Sequence, residues 1–202
     1  MTARRDEYII TTRDNKRRDS PCGKPSRVTL IDMNQELHEE LKTLVGVEGP
    51  RLEALDEVCQ PMIRHWCEAM QDGNPLYTDE EYARKSKYGS IIAPPTMLLT
   101  WSMPPLWPPI EPPSGPLDQV LEKLDKAGFT QVIIADSTQK YHQPLFPGDR
   151  VSFTYRVDSV SAEKQTALGK GHFVTTTFTY TNQKGGLVGS QTLTMLKYRT
   201  DS

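Results

Sequence analysis

The sequence predicts an α+β domain, and three observations predict it. Up to Ala127 the apolar residues recur at helical spacing; from Gln131 onward they alternate, or run with β-branched residues. Between the two longest alternating runs lies Gln183-Lys184-Gly185-Gly186, a hairpin turn that makes its flanking strands antiparallel neighbours. Helices first and a meander afterwards is the α+β pattern. The 202 residues can bury one sizeable core. With no internal repeat or long linker, the chain divides into a polar tail and amphipathic helix (1–45) and one domain (46–202).

Residues 1 to about 27 are polar, rich in Arg and Lys, and without periodicity, which reads as a solvated tail. Asp6, Glu7, Asp14 and Asp19 interrupt the positive charge that a basic docking arm would need. From Asp32 to Val45, Met33, Leu37, Leu41, Leu44 and Val45 mark one helical face, with Asp32 or Asn34 as N-cap and Gly46 as stop. Leu52 to Val58 fits neither period. After Pro61, Met62 through Met70 reads as a helix packing Ile63, Trp66, Cys67 and Met70, and Asp79 to Lys87 as a charged one capped by Thr78 or Asp79.

Pro94-Pro95 opens the apolar stretch Thr96 to Met103, a short buried helix, because the first helical turn has no use for the N–H that proline lacks. Seven of the 16 prolines then fall between Pro104 and Pro116, interleaved with Leu106, Trp107 and Ile110. That composition predicts an extended, polyproline-like loop. Leu117 to Ala127 is a short amphipathic helix stopped by Gly128. The strands are Gln131 to Gln139, Arg150 to Val160, Gly171 to Asn182 and Leu187 to Tyr198; the turn chemistry of Pro144 to Asp149 joins the first two.

The net charge of -2 gives no nucleic-acid footprint. No apolar run approaches the ~20 residues of a membrane span, and Arg4-Arg5-Asp6-Glu7 does not open a secretory signal. Cys22, Cys59 and Cys67 are odd in number and lack C-x-x-C spacing, against both a disulfide framework and a zinc site. No metal is expected, and a reducing cytoplasm is the expected location.

The most informative stretch is Gln71-Asp72-Gly73-Asn74-Pro75-Leu76-Tyr77-Thr78-Asp79, followed by Glu81-Tyr82-Ala83 and by Tyr88-Gly89-Ser90-Ile91-Ile92-Ala93-Pro94-Pro95. It resembles the hydratase signature G-D-x-N-P-x-H-x-D-x-x-x-A of the MaoC-like hydratase/dehydratase family. Asp72, Asn74, Pro75, Asp79 and Ala83 match; Tyr77 stands where the family has His. Tyr141-x-x-Pro144-x-x-x-Gly148-Asp149 resembles the family's second-half pattern, and the likeness covers residues 46 to 199. It is nearest to the N-terminal type of the domain, marked by Ala93-Pro94-Pro95. That type occurs in the non-catalytic halves of double hot-dog hydratases and in heteromeric enoyl-CoA hydratases of steroid side-chain degradation. The resemblance implies a hot-dog fold: an antiparallel sheet wrapped around a central helix, here a short one, behind an N-terminal extension.

It also implies a damaged site. Hydrating an enoyl thioester needs a water held between a base and an acid, plus a donor for the developing enolate oxygen. An Asp/His pair supplies the first, because a His pKa near ~6.5 exchanges protons at neutral pH. A phenol with reference pKa ~10 does not. In related catalytic domains the oxyanion donor is the backbone N–H of a Gly aligned with Pro95, and proline has none. The degenerate motif positions Asp72, Asn74 and Tyr77 are therefore expected to carry no catalysis in this chain alone. Plainer readings stand beside this: Asp72 as a cap or turn former, Asn74 and Pro75 as keepers of loop shape, Tyr77 as a packing residue. His142 is the one histidine with the character of a site residue; His65 and His172 read as structural or exposed.

The function the resemblance implies is a non-catalytic, acyl-tail-accommodating subunit of a heteromeric enoyl-CoA hydratase or 3-hydroxyacyl dehydratase. A partner hot-dog subunit carries the Asp/His pair, in a heterodimer or heterotetramer. The substrate is a bulky acyl-CoA, such as a steroid side chain or long-chain acyl group, with no cofactor beyond the coenzyme A thioester. Pro95, Trp101, Met103, Leu106 and Trp107 are the expected substrate-binding residues. Two alternatives remain open at this point: a non-enzymatic acyl-CoA binding or scaffold protein, and a self-contained hydratase with altered acid/base groups.

Overall fold

A computed structural model describes residues 27–110 and 113–200. The polar tail up to Ser26, with Cys22, lies outside the described residues. Helix α1 (Arg27–Lys42) begins before the expected Asp32. Asn34 is not a cap but sits inside the helix, its side-chain amide donating to Glu163 Oε2 at 3.3 Å. Gly46, at φ +81, ends the turn after α1 as expected, and its N–H donates to Val157 O at 2.8 Å. The ambiguous stretch after it forms a two-residue strand, β1 (Leu52–Glu53). Val58 then bonds Asp149 and Gly148 through its backbone.

Three helices follow: α2 (Gln60–Met70), α3 (Pro75–Thr78) and α4 (Glu80–Lys85). The apolar stretch after the double proline is a 3-10 helix, Pro95–Ser102, which buries Met97, Leu98 and Trp101. From Met103 to Ile110 the chain has no regular structure, so no continuous helix joins this turn to α5 (Pro116–Lys126). Strands β2 (Gln131–Tyr141), β3 (Val151–Val160), β4 (Lys164–Thr166), β5 (Gly169–Asn182) and β6 (Leu187–Arg199) complete the chain. The three-residue β4 and the one-turn α3 were not in the sequence reading, and β1 lies in the stretch it left unassigned.

The sheet is antiparallel in the order β1-β3-β5-β6-β2, with β4 paired to β5. The expected hairpin is present: Asn182 Oδ1 accepts from Lys184 N and Gly186 N, and Gly185 takes φ +75. On one face of β5, Thr175 and Thr177 hydrogen-bond across to Thr194 and Thr192, both at 3.0 Å; such cross-strand pairs fix register. On the other, Val174, Thr176 and Tyr180 are buried. Alternation along the strand thus sorts polar from apolar, as pleating requires.

The buried side chains form two clusters. One gathers Ile63, Cys67, Ala83, Met97, Leu98 and Trp101 beneath α2, α4 and the 3-10 helix. The other gathers Leu41 from α1, Val120 and Leu124 from α5, and Phe129, Val157 and Val174. Strand β2 belongs to neither. Val132, Ile133 and Ile134 are 57%, 46% and 51% exposed, and because consecutive strand residues point to opposite faces, both faces of β2 are uncovered. It also ends the strand order, so its outer edge pairs with no strand among the described residues.

Candidate functional site

The motif loop is built from capping and turn bonds. Helix α2 ends at Gln71 in the left-handed region (φ 54), and Asp72 N–H returns to Cys67 O at 2.9 Å. Asp72 Oδ1 accepts from Asn74 N, and Asn74 Oδ1 from Leu76 N, each at 3.1 Å. Asn74 thereby caps α3, whose first turn is Pro75, and Asp79 caps α4 by accepting from Tyr82 N at 2.9 Å. Asp, Asn and Pro suit these places because short acceptors close a turn and proline pre-sets the helical φ.

Tyr77 packs against the core cluster beneath α2 and α4, as Trp66 does. Burial, and then the Asp72 carboxylate, push its phenol pKa up. The proton stays on the oxygen, the opposite of what a base needs. The next requirement fails as well: Ala93 N–H is committed to Leu145 O at 2.8 Å, and neither Pro94 nor Pro95 has an N–H. Pro95 lines a small recess of about 190 Å³ with Tyr88, Tyr141 and His142. His142 therefore lies beside Pro95, and not on the motif loop.

A larger apolar cleft opens where the helix stops. Its volume is about 400 Å³ and its walls include Trp101, Met103, Ile110, Phe153, Tyr155 and Phe178, within the size and character of small-molecule sites. Leu117 of α5 also lines it, and since Trp101 belongs to one core cluster and Leu117 packs against the other, the cleft touches both. Trp101 and Met103, expected from the sequence, are on its wall. Leu106 and Trp107 are not: they stand 95% and 85% exposed, away from the lining. The proline-rich loop lines the cleft with Pro104, Pro105, Ile110 and Pro113 but turns Leu106 and Trp107 to solvent. Pro95 also lies outside this cleft, and Asp72, Asn74 and Tyr77 do not line it.

The sequence reading missed Ala54, Phe153, Tyr155, Phe178 and Asp118, all of which face this cleft. Tyr155 is the best placed. Its hydroxyl donates to Asp118 Oδ2 at 2.9 Å, and the same oxygen accepts Gly115 N at 2.8 Å. Burial first, and then Asp118, raise the phenol pKa strongly. Two glycines make room: a Cβ on Gly49 would lie 2.7 Å from the Tyr155 ring, and one on Gly115 would lie 2.1 Å from its hydroxyl. The signal that could have found this notch is the repeated Gly-Pro pair, Gly49-Pro50 and Gly115-Pro116, on either side of the apolar segments.

An antiparallel sheet packed on short helices, with a hydratase-type loop that keeps Asp72 and Asn74 and has Tyr77 and Pro95 at the two differing positions, defines a hot-dog domain of the dehydratase type. Residues 45–191 match the family described as FAS1-like, dehydratase domain region, and the chain belongs to that family. It is 39% identical over 168 residues to a probable enoyl-CoA hydratase alpha subunit of Thermomonospora curvata, covering 82% of this chain and 53% of that one. It is 40% identical over 140 residues to the 3-oxo-4,17-pregnadiene-20-carboxyl-CoA hydratase alpha subunit of Mycobacterium tuberculosis, covering 69% and 44%. The chain thus spans about half the length of the curated relatives it matches. In the crystal structure of the ChsH1–ChsH2 complex from Mycobacterium tuberculosis, one chain superposes with a TM-score of 0.75 at 32% identity, covering 85% of this chain and 94% of that one. The hot-dog fold and the MaoC-like kinship expected from the motif stand.

Proposed function

We propose that this chain is the acyl-tail-accommodating subunit of a heteromeric enoyl-CoA hydratase or 3-hydroxyacyl dehydratase. A partner hot-dog subunit supplies the Asp/His pair, and the reaction needs no cofactor beyond the coenzyme A thioester of the substrate. The observation that carries the reading is the apolar cleft opened where the 3-10 helix stops at Ser102. It offers volume for a bulky acyl tail in a chain whose own motif loop holds its phenol protonated and lacks an N–H at Pro95. The relatives named as enoyl-CoA and steroid-side-chain hydratase alpha subunits support the same reaction class. The substrate is then a polycyclic or long acyl-CoA in preference to a short one.

Strand β2 is the surface for the partner. Its free edge offers backbone donors and acceptors, and Val132, Ile133 and Ile134 offer apolar side chains on both faces. An exposed apolar edge of this length invites pairing, and an obligate partner covers it. Cys59 and Cys67 are free thiols, in keeping with a reducing cytoplasm. No helix among the described residues is long and apolar enough to cross a membrane.

The test is co-expression with a second, catalytic hot-dog chain, followed by turnover on crotonyl-CoA and on a steroid-side-chain enoyl-CoA. Co-purification with strong preference for the bulky thioester is expected. A monodisperse monomer indifferent to any such chain, or a clear preference for crotonyl-CoA, refutes the proposal. An acyl-CoA binding or scaffold role would show instead as thioester binding with no turnover in any pairing.

A further inference from the structure

Resting on the reading of the cleft as an acyl-tail site, we infer that Tyr155 is its specificity-determining residue. Its ring is a fixed wall, and where that wall stands sets how broad an apolar tail the cleft takes. In the pairing of β3 with β5, Tyr155 stands opposite Phe178, and Phe153, two residues along, shares their face. All three rings line the cleft. Of the three, only Tyr155 has a polar tip, and that tip is anchored. Its hydroxyl donates to Asp118 Oδ2 at 2.9 Å, and the same oxygen holds Gly115 N at the start of α5. The backbone beside the ring is tied as well. Gly49 N–H donates to the Tyr155 carbonyl at 2.7 Å, and Glu48 bridges to Arg156, so the segment that passes the ring is stitched to the strand that carries it.

Gly49 and Gly115 close off the ring away from the cleft. A Cβ on Gly49 would lie 2.7, 2.7 and 3.0 Å from three ring atoms, and one on Gly115 2.1 Å from the hydroxyl. The aromatic neighbour Phe178, 5.8 Å away between centroids, is itself a cleft wall. The free volume beside the ring is therefore the cleft. A broader tail gains room there only by breaking the hydrogen bond to Asp118, which leaves a buried phenol and a carboxylate lone pair unpaired. Elsewhere the lining is compliant: Met103 is 59% exposed, and its unbranched side chain adapts to what it meets. Tolerance is decided at Tyr155. A methyl group placed behind the ring should then narrow the cleft without entering it.

The experiment measures kcat/KM of the reconstituted complex for a steroid-side-chain enoyl-CoA relative to crotonyl-CoA. The variants are Gly49→Ala and the double change Gly49→Ala with Tyr155→Leu. Gly49 has no positive φ, so alanine strains only the contact with the ring. Gly49→Ala should lower the ratio by roughly tenfold, the scale of one methyl group in an apolar site. Replacing the ring with leucine should restore most of that loss, because the methyl then has no ring to push. A methyl group that merely weakened the fold would leave the ratio where it was, or lower it without rescue; either result overturns the inference. Should Gly49→Ala fail to fold, Gly115→Ala presses on the same hydroxyl and is read the same way. Ala54→Phe separates the two failures, because it narrows the cleft directly. A ratio that falls in Ala54→Phe but not in Gly49→Ala overturns the role of Tyr155 alone; a ratio unmoved in every variant overturns the acyl-tail reading with it.

Discussion

The core beneath α2 and α4 and the core beneath α1 and α5 are both closed, by different means. On the motif side, Ile63, Cys67, Ala83 and Met97 pack under a loop whose polar residues are all turned to capping. On the α5 side, Leu41, Val120, Leu124 and Phe129 pack directly onto the strands, with no reactive loop between. Between the two, Trp101 and Leu117 face a gap that a longer helix would fill. The difference teaches how this family member makes room. Space comes from stopping a helix with proline, while the closed packing on either side is left intact.

The largest effect that could break this division is catalytic. If the motif side is inert, the isolated chain shows no measurable hydration of enoyl-CoA substrates, and Tyr77→His alone does not rescue it. General acid–base work contributes about 10²–10⁴-fold and one oxyanion donor about 10²–10³-fold, so restoring only one still leaves a large deficit. A coupled spectrophotometric assay reads the outcome. Robust turnover by the unmutated chain would collapse the distinction between the two sides.

Assembly gives the next effect. Ile133→Glu or Ile134→Glu places a charge on a face of β2 that a partner must cover, and desolvating an unpaired charge is strongly unfavourable. Each should convert the complex to free chains at micromolar concentration by light scattering, with folding unchanged, since both residues are already exposed.

Much of this division could be read from the sequence. The motif loop was legible because Asp, Asn and Pro at fixed spacing leave few conformations, and Tyr77 and Pro95 announce the missing groups outright. The helix stop was legible from Pro104-Pro105. The wall of the cleft was not. Phe153, Tyr155 and Phe178 read only as inward residues of strands, and alternation does not say which inward residue meets a gap. Leu106 and Trp107 misled because large apolar side chains are ordinarily buried; here the proline-rich loop holds them in solvent. The start of α1 was misplaced because Asn34, a good cap by type, has its side chain engaged by Glu163.

Glycine substitutions sharpen the contrast in packing. Gly115→Ala drives a Cβ to within 2.1 Å of the Tyr155 hydroxyl, whereas a Cβ on Gly73, in the motif loop, meets nothing within 4 Å. Overpacking costs about 1–3 kcal/mol, so urea unfolding should show that loss for Gly115→Ala and close to none for Gly73→Ala. A smaller effect follows from narrowing the gap itself. Ala54 lines the cleft, and Ala54→Phe should lower turnover of a bulky acyl-CoA by the reconstituted complex by roughly tenfold, the scale of one lost apolar contact. Crotonyl-CoA turnover should be spared; an equal loss on both would mean the cleft is not where the tail lies.

The smallest expected effect is acid sensitivity confined to the α5 side. His172 is fully buried there, edge-on to Phe129 at 4.7 Å between ring centroids. Its Nδ1–H donates to Ser161 O at 2.9 Å, while Nε2 has no partner among the described residues. Burial lowers its pKa, with the Ser161 carbonyl and Glu163 opposing and His38 and Arg199 adding to the depression. A depressed pKa means the unfolded chain binds the proton more readily than the folded one. Stability from this residue is therefore complete above about pH 6.5, the ordinary imidazole value, and is lost as pH falls below it toward the folded-state value. The urea midpoint should drop between about pH 7.5 and 5.5, and His172→Gln, which cannot take up a proton in this range, should show a shallower drop. An identical pH slope in the two proteins would assign the acid sensitivity to other groups and remove this difference between the two sides of the core.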